Sequence, residues 1–148
     1  MAKLLIAETD YYIFEVDTIQ NRAYTQGKGF WYSLDAVPDY FKDLTEMLRH
    51  LHTGFDLLSN NLRLESIPET VQNTLVLSAV KQMQAAGLNR TAVVVPQEEI
   101  ARMGVEIMVD EIKRAESRLV YFTEVAEAVA WLDGFEKSAE AKEPDFLF

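Results

Sequence analysis

The chain has 148 residues, enough for one domain that buries about 70% of its unfolded surface without disulfides or metal. It contains no cysteine, which excludes a disulfide framework, thiolate metal ligands and a thiol nucleophile. Its 14 Lys and Arg stand against 24 Asp and Glu, a net charge of −10, with no basic run, so neither nucleic acid nor an anionic membrane surface is an expected partner.

Leu4-Leu5-Ile6-Ala7 is a short apolar run, broken by Glu8 and Asp10 too soon for a signal-peptide core. No stretch approaches the roughly 18 apolar residues of a membrane span, so a cytoplasmic location without membrane insertion is expected. Over Tyr11 to Asp17, Tyr12, Phe14 and Val16 alternate with Ile13 and Glu15, a strand pattern. Gln20-Asn21 marks a turn, and Arg22 to Tyr32 reads as a third strand in which Gly27 and Gly29 signal a bulge or a close backbone approach. Short links between successive strands predict an antiparallel meander.

The period then changes. Val37, Tyr40, Phe41, Leu44, Leu48 and Leu51 share a helical face, with Asp35 as the expected N-cap and Gly54 as the helix stop. Phe55 to Leu58 reads as a short buried strand. Ser66-Ile67-Pro68-Glu69 has the spacing of a capping box, and the helix it opens carries Val71, Leu75, Ala79, Met83 and Ala86 before Gly87 ends it, with Leu88 packing back. Thr91 to Val95 is apolar without alternation, as in a central strand covered on both faces. A third helix follows with Ile100, Met103, Ile107, Met108 and Ile112, then a strand over Arg118 to Phe122 and a last helix with Val125, Ala128, Val129, Trp131 and Leu132. The expected fold is α/β: a mixed β-sheet that starts as the antiparallel meander, continues as alternating α-β units, and carries its helices packed on the sheet. The domain spans 1–135, and 136–148 forms a polar tail ending in Phe146-Leu147-Phe148.

Ala86-Gly87-Leu88-Asn89-Arg90-Thr91-Ala92-Val93-Val94-Val95-Pro96 resembles a segment of bacterial STAS-like (anti-sigma-factor-antagonist-like) domains. So do Val120-Tyr121-Phe122 with Glu127-Ala128-Val129-Ala130-Trp131-Leu132, and the Gly-containing strand that ends near Trp31 ahead of the first helix. The resemblance covers roughly residues 4 to 134. It implies a regulatory module without enzymatic activity, one that works through a protein partner. Partner switching in that superfamily uses a phosphorylatable Ser in an Asp-Ser-Ser/Thr-Gly motif; the matching place here is Glu65-Ser66-Ile67-Pro68, with Glu for Asp and no Gly.

Ser66 thus has two readings, a helix cap or a site of phosphorylation or partner contact. Phe30, Trp31 and Tyr32, with Tyr40 and Met103, read either as core or as the wall of an apolar pocket or dimer interface. The i and i+2 spacing of His50 and His52 puts them on different helix faces, and a role at the helix C-terminus is expected in place of metal binding. Gly27-Lys28-Gly29 lacks phosphate-loop spacing, and no catalytic motif occurs. No cofactor and no metal are expected. The alternative function is a carrier for small apolar molecules or lipids, and the terminal Phe146-Leu147-Phe148 favours a homodimer.

Overall fold

The computed structural model describes residues 3–99 and 118–134. The expected third helix and the terminal tail lie outside the described residues. Six strands form one sheet in sequence order: β1 (Leu4–Glu8), β2 (Tyr12–Asp17), β3 (Arg22–Phe30), β4 (Asp56–Ser66), β5 (Thr91–Val94) and β6 (Leu119–Phe122). The first three strands are antiparallel neighbours, and β3 to β6 run parallel. The mixed α/β architecture is the one the sequence pattern predicts.

Side-chain alternation sorts the sheet into two faces. On one face Tyr12, Phe14, Val16, Ala23 and Leu57 pack beneath α1 (Tyr40–Arg49) and the helical run over 69–85. On the other, Leu58, Ala92 and Val94 pack against Ala128 and Leu132 of the helix over 125–134. Val94 and Ala92 on this face are fully buried, while Val93 on the first face is partly exposed, so the expected burial of β5 is complete on one face only.

Several local expectations hold in detail. Asn21 takes the left-handed conformation in the β2–β3 turn (φ 57°), and Asp17 accepts from the N–H groups of Ile19 and Gln20 at 3.0 Å. The pairing register of β3 with β4 shifts between Gln26 and Lys28 and again between Gly29 and Phe30. Those shifts fall at Gly27 and Gly29, the positions expected to bulge. Met83 and Gln84 carbonyls accept from Leu88 and Gly87 N–H groups at 3.1 Å, the paired bonds of a Schellman ending.

Three boundaries differ. Leu34–Ala36 forms a 3₁₀ turn capped by Ser33, and α1 begins only at Tyr40, so Asp35 is not its N-cap. Pro38 explains the delay, because it disfavours a helical Val37 before it. α1 ends at Arg49, and Gly54 lies beyond it in a separate turn where its N–H donates to the Gly87 carbonyl at 2.7 Å. The strand expected to stop at Leu58 extends to Ser66, because β3 is long enough to pair with it throughout.

The run over 69–85 consists of a helical turn (Glu69–Val71), a π-helical segment (Gln72–Val76) and α2 (Leu77–Ala85). The apolar stripe Val71, Leu75, Ala79, Met83 has a strict spacing of four, which drifts by about 40° per step on a 3.6-residue helix. The wider π turn takes that drift back, and all four side chains stay buried.

At the opposite end of the parallel strands Arg22 is fully buried, and its Nη1 donates to Asp133 Oδ1 at 2.9 Å. Asp17 and Asp56 flank it in the strand register. Burial raises the Asp56 carboxyl above the usual range, against the opposing pull of the Arg90 N–H and the Arg22 and Arg90 charges. A carboxyl raised in the folded state contributes stability that is complete below about pH 3.9 and is lost as pH rises through its folded pKa. Urea unfolding across that window should therefore show the stability of Asp56→Asn rising relative to wild type as pH rises, and a relative stability that falls with rising pH would contradict the assignment. Gly87 has φ +101° and a Cβ there would lie 2.7 Å from Thr53 Cα. Gly87→Ala should cost about 1–3 kcal/mol, read as a lower melting temperature; an unchanged midpoint would refute the constraint.

Candidate functional site

In open α/β sheets ligands bind beyond the carboxyl ends of the parallel strands. Here that edge is where β3 ends at Phe30 and β4 at Ser66, locked together by the Trp31 N–H donating to the Ser66 carbonyl at 3.0 Å. The expected aromatic group divides at this point. Phe30 and Tyr32 face outward, 47% and 53% exposed, with Leu34 beside them at 44%. Trp31 turns inward and is 4% exposed, its Nε1 donating to the carbonyls of Tyr11 (3.0 Å) and Lys28 (3.1 Å). Tyr40 joins Trp31 inside, with ring centroids 5.6 Å apart. Met103 lies outside the described residues.

Ser66 is exposed and close to Phe30, its partner in the β3–β4 register. It does not cap a helix: the N-cap is Pro68, which has no side-chain cap bond, so the capping box with Glu69 is not formed. Pairing holds Ser66 in β4, and Pro68 keeps Ile67 out of the helical region, so the helix starts too late for the box. The Ser66 hydroxyl makes no hydrogen bond among the described residues.

Inside, between the sheet and the helices, lies a cavity of about 120 Å3. Tyr12, Phe14, Trp31 and Tyr40 form its aromatic side, and Thr25, Ser59 and Asn61 its polar floor. The floor follows from strand alternation: Thr25 pairs with Ser59 in the β3–β4 register, and Asn61 lies two residues further along β4. Gly27 lets this corner close, since a Cβ there would meet Asn61 Oδ1 at 3.3 Å. The π-helical segment overhangs the site through Val76. Such widened turns recur at functional sites.

Asn61 also lines two neighbouring clefts. One, of about 740 Å3, runs under α2 and includes Tyr40, Ser59 and Gln72, with Glu99 and Arg118 at its far side. The other, of about 620 Å3, opens at the strand ends beside Glu65, Ser66, Glu98 and Glu99. Burial raises the Tyr40 phenol to about 12. The Tyr12 phenol is raised by burial and by its 2.6 Å hydrogen bond to Asp43, so both stay neutral.

His50 Nε2 lies 3.1 Å from Glu46 Oε2 in the last turn of α1. Among the described residues no group of acidic and histidine side chains is placed to hold a metal. No helix among them is long and apolar enough to cross a membrane.

Thr25, Ser59 and Asn61 were missed by the sequence reading. Their signal is a break in alternation: inward positions Ala23 and Leu57 are apolar, and the next inward positions are not. It becomes visible only when β4 is read to its full length. No protein-family model matches the chain, and no curated protein or solved structure matches it.

A polar side chain on a helix-covered sheet face costs stability unless it is hydrogen-bonded. Thr25→Val, nearly isosteric, should therefore stabilise the protein by about 1 kcal/mol, read as a higher urea midpoint. A drop of similar size would show that the hydroxyl serves the fold.

Proposed function

We propose that the protein is a non-enzymatic regulatory module of the STAS-like kind, acting in the cytoplasm through a protein partner. The observation that carries this reading is the exposed apolar group Phe30, Tyr32 and Leu34, which begins beside the open Ser66 hydroxyl at the edge where such folds present their sites. The sheet order, antiparallel at first and parallel afterwards, is the one the sequence pattern predicts and puts the β3 and β4 ends side by side. Glu65 precedes Ser66 and Asp35 follows Leu34 in the chain, so the patch carries negative charge at its edges, as the whole chain does. The partner surface that fits is an apolar anchor with a basic rim. A phosphate on Ser66 would change the charge at the centre of this contact.

A photo-crosslinking residue placed at Tyr32 in the native cell should capture one discrete protein. The same residue at Ile19, which is 83% exposed at the far end of the sheet, should not. The Ser66→Asp substitution should change the yield at Tyr32. Equal capture at both positions, or none at Tyr32, would overturn the reading. A second reading, a carrier for small molecules, is favoured by the interior cavity.

A further inference from the structure

The sheet face beneath α1 and α2 is apolar at Ala23 and Leu57, which are buried. It turns polar two residues further along each strand, at Thr25 and Ser59, and stays polar at Asn61. All three are half-buried, so the change falls where the face begins to open toward the neighbouring clefts. Pockets with a few convergent polar groups beside an apolar wall are the usual form of small-molecule sites. The side chains of Thr25, Ser59, Asn61 and Tyr40 make no hydrogen bond among the described residues, so their donors and acceptors are open to a bound molecule.

We propose that this cavity is a binding site for a small uncharged ring compound with a hydrogen-bonding group on one edge. The proposal rests on the carrier reading and is independent of the Ser66 surface.

Three features set the ligand class. Aromatic rings enclose one side, and Tyr40 meets Tyr12, Phe14 and Trp31 edge-on at 5.3, 5.4 and 5.6 Å, so a further ring finds edge and face contacts there. At about 120 Å3 the cavity is of the same order as the roughly 150 Å3 that holds benzene, and Thr25, Tyr40, Ser59 and Asn61 also line the cleft of about 740 Å3, which gives room for a substituent on the ring. No carboxylate, Lys, Arg or His lines the cavity among the described residues. An ion held against these side chains would gain no counter-charge from them, which favours a neutral molecule. The hydroxyls of Thr25 and Ser59 and the amide of Asn61 both donate and accept, which suits an amide, a phenol or a ring N–H beside a carbonyl.

Benzamide is a suitable probe, with benzoate as its charged counterpart of similar shape. Titration of the full-length, ¹⁵N-labelled protein with each should be followed by NMR. Benzamide should give saturable shifts at Thr25, Ser59, Asn61 and the Trp31 indole N–H. Benzoate should bind at least about tenfold more weakly, the factor a single charged or unpaired buried group commands. Asn61→Leu should weaken benzamide by about tenfold while the spectrum stays that of the folded protein. Ser59→Ala provides a second, smaller change should Asn61→Leu fail to fold, and it too should weaken binding. Absence of saturable shifts, shifts centred away from this floor, equal affinity for benzoate, or unchanged affinity in a folded variant would each overturn the proposal. None of these results touches the crosslinking outcome at Tyr32, so the two readings fail separately.

Discussion

Tyr40 is the residue on which the arrangement depends. At the first position of α1 it places its ring against those of Tyr12, Phe14, Trp31 and Phe41, with centroid separations of 5.3 to 5.8 Å. Such pairs are worth about 0.5–1.5 kcal/mol each beyond burial. The cluster fixes where the helix crosses the sheet, and Leu44 and Met47 then bury one turn and two turns further along. A second tie runs the other way, from the Tyr12 hydroxyl on β2 to Asp43 on α1. With the helix pinned at that end, the sheet beyond it is roofed but not filled.

β4 is the strand that joins core to site. Its first residues, Asp56, Leu57 and Leu58, are buried and set the two faces of the sheet. Ser59 and Asn61 then carry polar groups into the interior, and by Ser66 the strand has reached the surface beside Phe30. Asn61 lines both the small cavity under the helices and the cleft that opens at Ser66. The interior floor and the exposed patch are therefore parts of one continuous strand. A ligand held at Asn61 and a partner seated at Phe30 would meet the same backbone.

The sequence made the fold legible wherever one force dominated. Alternation of Tyr12, Phe14 and Val16, the spacing of Val71, Leu75, Ala79 and Met83, and the Gly87-Leu88 ending each appear in the structure as the pattern implies. Boundaries were less legible where two signals competed. Ser66 carries a cap signature, but strand pairing with β3 and the stiffness before Pro68 outweigh it. The aromatic group was legible as a cluster but not in its orientation. One residue of offset along the strand sends Phe30 and Tyr32 to solvent and Trp31 to the core. The polar floor was hidden because it depends on the pairing of Thr25 with Ser59, 34 positions apart in the chain, which no local period records.

The account's central claim is that the polar stripe beneath the helices is kept for a neutral ring ligand and not for the fold. A crystal structure of the full chain grown with benzamide tests it most directly. The account predicts the ring lying against the Tyr40 and Trp31 cluster on its cavity side, with its amide hydrogen-bonded to Ser59 and Asn61. A cavity left without the probe at saturating benzamide, or a probe bound elsewhere while Thr25, Ser59 and Asn61 satisfy one another, would contradict it.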